Sequence, residues 1–234
     1  EPAVTKDAVE VPVMANIGNR EDVELAAENG ADGIGLYRTE MLFTSQRMLP
    51  TEDELVEKIE NVLSPLTGKP ATIRLLDVGG DKNLPYLDFG TESNPFLGRR
   101  GVRLLLHFPR LLDLQLRALL RLSTNRPIQI MVPMVTTTDD IRQVRERLNS
   151  FAEEMNIADV PPLVAMIETP AAALNAGEIL HYADSLSIGT NDLTQYTMAA
   201  GRDNSHVAHY FQDDHPVIFR LIEMVCAAAE DAPI

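Results

Sequence analysis

Six short apolar runs, rich in β-branched residues and separated by helical patterns, restrict this chain's possible folds more than any other feature. They are VPVMANI (11–17), GIGLY (33–37), TIRLLDV (72–78), IQIMVPM (128–134), LVAMIE (163–168) and LSIGT (186–190). Each is continuously apolar rather than alternating, the pattern of strands covered on both faces in a parallel sheet. The segments between them read as helices. Residues 20–29 stop at Gly30, a C-cap signal. Thr51 and Glu54 make a capping box ahead of Leu55, Ile59, Val62 and Leu63, which share one face; the acidic stretch TEDELVEKIE around them reads as a solvated helix face. Residues 109–123 form a strongly apolar helix, and in 139–155 the apolar residues Ile141, Val144, Leu148, Phe151 and Met155 recur at helical steps. Thr169 and Pro170 read as N-cap and first helical residue, and a last helix over 216–230 turns Val217, Leu221, Ile222 and Val225 inward.

Strand–helix alternation means an α/β fold. The polar residues with chemical potential fall just after the strands: Arg38, Asp77 to Lys82, Glu168, and Asn191 with Asp192. At least four strands contribute, which favours a TIM-type (β/α) barrel over an open sheet with a single switch point. Eight units and about 250 residues complete such a barrel. Six are counted here, so residues 1–234 read as one barrel domain whose last two units are missing.

Charge narrows the partners. Twenty Lys and Arg against 35 Asp and Glu give a net charge of −15. With no basic stripe, nucleic acid is not an expected partner. No run of 18 apolar residues could cross a membrane, the N-terminus lacks a signal pattern, and a single cysteine permits no internal disulfide, so the cytoplasm is the expected location.

Glu168 and Asp192 follow adjacent strands, so their carboxylates would converge at the barrel top, where two oxygen ligands suit Mg²⁺. The alternative is that each caps the following helix. Arg74 lies in an apolar strand and requires an anionic partner, either Asp77 or Asp81, or a substrate phosphate or carboxylate. Its removal is expected to weaken binding by at least ~tenfold with little loss of fold. Arg38, Arg74, Arg100 and Arg202, with Arg99, Arg103 and Lys82 nearby, crowd one rim of an acidic chain, which points to a polyanion site. Gly79 and Gly80, before Asp81 and Lys82, could bring backbone N–H groups to an anion. Gly33-x-Gly35 lacks the third glycine of a dinucleotide fingerprint, TGK (67–69) lacks the first glycine of a P-loop, and no GxSxG is present. His206-x-x-His209 with Asp213, Asp214 and His215 reads as surface rather than a metal site, and Cys226 as a buried, inert thiol.

Five blocks then carry a resemblance: GIGLYRTEMLF (33–43), RLLDVGGDKNLPY (74–86), NPFLGRRGVR (94–103), MIETPAAA (166–173) and SIGTNDLTQYTMAAGRDN (187–204). In order and spacing they resemble the C-terminal barrel of the phosphoenolpyruvate-protein phosphotransferases, the Enzyme I family of the bacterial phosphotransferase system. Pyruvate phosphate dikinase and phosphoenolpyruvate synthase share parts of several blocks. The resemblance implies a barrel binding phosphoenolpyruvate and Mg²⁺ at its top. By position, Arg38 and Arg74 would grip the phosphoryl group, Arg202 and Asn191 the substrate, and Glu168 and Asp192 the Mg²⁺; Lys82 and Arg100 match basic positions near the phosphate. It implies partners too: an N-terminal phosphohistidine domain, a histidine-containing phosphocarrier protein and a second copy in a homodimer. The family's proton-donating cysteine, in a Cys-Gly-Glu block, would fall beyond Ile234, and Cys226 is not its counterpart. No turnover is therefore expected of this chain alone. The rival readings are a dikinase- or synthase-type barrel, a Mg²⁺-dependent aldolase-like lyase, and a non-catalytic phosphoenolpyruvate-sensing module.

Overall fold

The computed structural model describes residues 2–79, 84–230 and 232. Two short strands, β1 (Ala3–Val4) and β2 (Glu10–Val11), pair as an antiparallel hairpin absent from the sequence expectation. The first apolar run is therefore divided: Val11 joins the hairpin, and Met14–Ile17 forms β3. There follow α1 (Arg20–Glu28), β4 (Gly33–Arg38), α2 (Glu40–Thr44), α3 (Glu52–Leu63), β5 (Ala71–Arg74), α4 (Val102–His107), α5 (Pro109–Ser123), β6 (Ile128–Val135) and α6 (Thr138–Glu154). The chain continues through β7 (Leu163–Ile167), α7 (Pro170–Leu174), α8 (Ala176–Ile179), β8 (Ser185–Ile188), α9 (Thr190–Met198) and α10 (Pro216–Glu230).

β3 to β8 form one parallel sheet in strict sequence order, with β3 and β8 as its edges. Parallel neighbours joined through helices are the repeating unit of a TIM-type barrel, and six such units are present. The fifth run is a strand up to Ile167, whereas TIRLLDV keeps its ladder only to Arg74. Leu75, Leu76 and Val78 beyond it remain buried, and Leu75 N still donates to Met131 O at 2.8 Å.

Strand periodicity separates two apolar layers. Ile73, Ile130, Val132, Leu163, Ala165 and Ile167 join the helical residues Leu55, Ile59, Leu116, Ile141, Val144 and Leu148 in the main core. Leu36, Met131, Val164 and Met166 form a separate small cluster. Two residues further along the same strands stand Arg38 and Glu168, so a charged rim sits above an apolar floor.

Capping explains where the helices start. The Thr51 hydroxyl accepts from Glu54 N while the Glu54 carboxylate accepts from Thr51 N, and Thr137 with Asp140 makes a second capping box. Thr169 caps α7 as expected, but the helix breaks at Asn175. Part of the acidic face of α3 is not simply solvated: Glu52 pairs with Arg117 at 3.2 Å and Arg121 at 2.9 Å, tying α3 to α5. Cys226 is exposed rather than buried, because α10 packs through Ile218, Leu221 and Val225.

Candidate substrate and metal site

Arg38 and Arg74 end neighbouring strands in register. They line one cleft of about 170 Å³ together with Asp77, Arg100, Asn191, Asp192 and Arg202. Lys82, with Gly80 and Asp81, lies outside the described residues. The remaining expected substrate residues thus meet at the C-terminal ends of the strands, and Glu168 lies directly behind them.

Arg74 is buried. Its Nη2 pairs with Glu40, its Nη1 lies 3.4 Å from Asp77 Oδ2, and its Nε has no hydrogen-bond partner among the described residues. Burial pulls the guanidinium pKa down, but Asp77, Glu40 and Glu168 outweigh that and hold it above the usual arginine value. Asp77 was expected as a partner; Glu40 was not. It is the first residue of α2, and the preceding Thr39 hydroxyl donates to Arg74 O at 2.9 Å, fixing that turn against β5. A guanidinium so enclosed supports the fold as well as the cleft. The expectation that Arg74 can be removed with little structural loss is therefore revised.

Arg100 spans the cleft. Nη2 donates to Asp77 Oδ2 at 3.0 Å; Nη1 donates to Asp192 Oδ1 at 2.8 Å and to the Tyr196 hydroxyl at 3.1 Å. Asp192 and Tyr196 stand one turn apart on α9, and the Tyr196 hydroxyl donates to Phe96 O at 2.6 Å. The neighbouring arginines turn away, Arg99 to Glu92 and Arg103 to Thr136. Gly101 makes the approach possible. It has φ +53°, its N–H reaches Val78 O, and a Cβ there would lie 2.8 Å from Met134 Cβ.

Glu168 is 1% exposed, and its Oε1 accepts from Met134 N at 2.6 Å. The β6–β7 pairing shifts register between Val132 and Val135, and Met134 adopts φ +57°, which aims its N–H at the carboxylate. Across from it Gly189 leaves room, since a Cβ there would be 2.8 Å from Glu168 Oε2. Neither acidic residue serves as a helix cap: Thr169 caps α7, and the Asp192 carboxylate is taken by Arg100. Burial, then Asp77 and Asp192, pushes the Glu168 pKa up to about 8.

A divalent cation suits these residues. Asp77 Oδ1 is buried with no hydrogen-bond partner among the described residues, and the Glu168 pKa is raised by burial and then by the two carboxylates beside it. Hard oxygen donors of this kind match Mg²⁺. Among the described residues no three His, Cys, Asp or Glu side chains enclose a metal by themselves. Mg²⁺ is commonly held by one or two carboxylates, with water and substrate oxygens completing its shell. His206 and His209 sit apart on the turn Ser205–Tyr210.

Arg38 and Arg202 form the outer part. Arg38 has no ion pair among the described residues; Arg202 has only a distant one to Asp203, at 3.8 Å, with its backbone N–H held by Gln195. Among the described residues, Arg38, Arg74, Arg100 and Arg202 face Glu40, Asp77, Glu168, Asp192 and Asp203, four arginines beside five carboxylates.

Fold and cleft together define an α/β-barrel protein with a cleft of charged side chains at the C-terminal ends of its strands. The chain belongs to the family described as PEP-utilising enzyme, PEP-binding domain, which it matches over residues 1–234. It is 47% identical over 234 residues to the phosphoenolpyruvate-protein phosphotransferase of Geobacillus stearothermophilus, covering 98% of this chain and 40% of that protein. The enzyme of the same name from Bacillus subtilis is 43% identical over 234 residues, covering 98% and 41%. The chain therefore spans about two-fifths of the length of these relatives. Among solved structures, an aldolase/citrate lyase family protein from Burkholderia cenocepacia superposes with a TM-score of 0.54 at 14% identity, covering 93% of this chain and 74% of that one. A citrate lyase from Burkholderia xenovorans gives 0.54 at 17%, covering 95% and 62%. At such identities the likeness is one of fold.

Proposed function

We propose that this chain is the phosphoenolpyruvate-binding barrel of a phosphoenolpyruvate-protein phosphotransferase. In this reading it presents the phosphoryl group to a histidine on a separate N-terminal domain of the intact protein. From there the group passes to a histidine-containing phosphocarrier, the first step of a phosphotransferase system. The observation that carries the reading is the meeting of Arg74 and Arg100 with Asp77, Glu168 and Asp192 in one cleft. Full-length relatives of that name support it at 43–47% identity.

Arg38 and Arg74 receive the phosphoryl oxygens, each charge-assisted contact contributing ~1.5–3 kcal/mol. Asn191 and Arg202 hold the substrate carboxylate end from α9 and the loop after it. Arg100, and Lys82 from its loop, add positive charge near the phosphate. Glu168 and Asp192 hold Mg²⁺, which when bound would neutralise phosphate charge and charge developing on the departing oxygen. Asp77 positions Arg74 and Arg100 together. We place the protein in the cytoplasm, as one barrel domain over 1–234 that pairs with a second copy in the intact enzyme; among the described residues no helix is long and apolar enough to cross a membrane.

Calorimetric titration of phosphoenolpyruvate, with and without Mg²⁺, tests the reading. Mg²⁺-dependent binding that weakens roughly tenfold to a hundredfold in Arg202→Ala is expected. A folded sample that binds neither substrate nor cation would overturn it. The lyase alternative gains nothing from neighbours that share only the fold.

A further inference from the structure

Glu40 poses a question that the binding site does not answer. A carboxylate paired to the buried arginine of an anion site repels the anion that the site is for. Its pairing with Arg74 is among the best protected in the molecule, with both side chains largely buried. A structural counter-ion was already at hand, because Asp77 Oδ2 lies 3.4 Å from Arg74 Nη1 and Glu168 also stabilises the charge. Glu40 is held there by the fold, since Thr39 Oγ1 donates to Arg74 O and sets α2 beside the end of β5. Its effect is to add a further carboxylate beside the cleft's arginines.

We propose that Glu40 is a positioning residue that makes anion binding conditional on the divalent cation. It fixes the guanidinium of Arg74 at the cleft wall and cancels that residue's charge. A highly charged anion is then drawn less strongly until a cation adds two positive charges. The inference rests on the phosphoenolpyruvate and Mg²⁺ reading above and deepens it. It concerns the energetic coupling between two ligands, which is reciprocal: whatever factor the cation adds to anion affinity, the anion adds to cation affinity. Without Glu40, Arg74 would keep only Asp77 as its paired carboxylate, and the free protein would hold the anion more tightly.

The experiment measures phosphoenolpyruvate affinity by calorimetry in wild type and in Glu40→Gln, each with Mg²⁺ and with a chelator. Glutamine keeps the shape and one acceptor oxygen while removing the charge. The expected result is that the ratio of the two affinities falls at least tenfold in Glu40→Gln, through tighter binding in chelator. A purely structural role would shift both affinities alike, so an unchanged ratio overturns the proposal. Asp203→Asn removes an exposed carboxylate from the same cleft and controls for net charge. It is expected to leave the ratio within about threefold, and a fall equal to that of Glu40→Gln would overturn a specific role for Glu40. If Glu40→Gln does not fold, Glu40→Asp withdraws the carboxylate by one methylene. In a folded sample its ratio must fall by a smaller, measurable factor, and no fall overturns the proposal. Failure of wild type to bind phosphoenolpyruvate with Mg²⁺ is a different outcome, which removes the functional reading itself.

Discussion

The inner and outer arginines line the same cleft, yet they are held differently. Arg74 and Arg100 are buried and bound by Glu40, Asp77 and Asp192. Arg38 and Arg202 are exposed and nearly free of partners among the described residues. A buried charge must be compensated within the fold, whereas an exposed one is compensated by water until a ligand arrives. The inner pair is therefore part of the fold and part of the site at once. The outer pair belongs to the site alone.

The sharpest break of that contrast is Arg74→Ala. It would leave Glu40, Asp77 and Glu168 facing one another without their shared cation. Loss of one partner from a buried pair costs ~3–5 kcal/mol, so the urea midpoint is expected to fall clearly, with Arg100→Ala close behind. An unchanged midpoint for both would mean that the inner arginines carry no structural weight.

Glu168 sharpens the comparison from the acidic side. Its pKa rises from about 4.5 to about 8 on folding, chiefly through burial and then through Asp77 and Asp192. Between those values the unfolded chain releases the proton that the folded chain keeps. The folded state then binds more protons, and this group's contribution makes stability fall as pH rises through that window. In chelator, Glu168→Gln is expected to be the more stable protein at pH ~8 by a few kcal/mol and nearly equal to wild type below pH ~4.5. Parallel stability profiles in urea would show that Glu168 is not held neutral.

At the outer pair the effect moves from stability to affinity. Arg38→Ala and Arg202→Ala are each expected to weaken phosphoenolpyruvate binding roughly tenfold to a hundredfold, the loss of ~1.5–3 kcal/mol. Their unfolding free energies should stay within ~0.5 kcal/mol of wild type. A large loss of stability in either would erase the distinction between the two pairs.

Much of the strand and helix order was legible, because parallel strands and capped helices leave local marks: continuous apolarity, Thr51 with Glu54, Thr169 before Pro170. Arg38, Arg74 and Glu168 were legible because each stands at or just after the end of an apolar run. What escaped were partners made by tertiary approach. Glu40 sits 34 positions from Arg74, in a five-residue helix without an apolar stripe. Tyr196 sits 96 positions from Arg100. The one available signal was the chemistry itself: a buried arginine demanded an anion, and Glu40 follows Arg38 by two residues. The Met134 N–H that supports Glu168 arises from a shift in strand register, which no sequence period announces.

The smallest expected effect separates the two arginine pairs most finely. The Tyr196 hydroxyl accepts from Arg100 and donates to Phe96 O, so it links the inner pair to the loop that forms the cleft mouth. Tyr196→Phe keeps the ring and its packing while deleting both hydrogen bonds. Because Arg100 retains Asp77 and Asp192, stability should drop by only ~1 kcal/mol. The loop bearing Phe96 would lose its anchor on α9, and phosphoenolpyruvate affinity in Mg²⁺ should fall by roughly fivefold, from ~1 kcal/mol, with Mg²⁺ affinity unchanged. If Mg²⁺ affinity fell as well, Tyr196 would be acting through Arg100 on Asp192, and the inner network would include Tyr196.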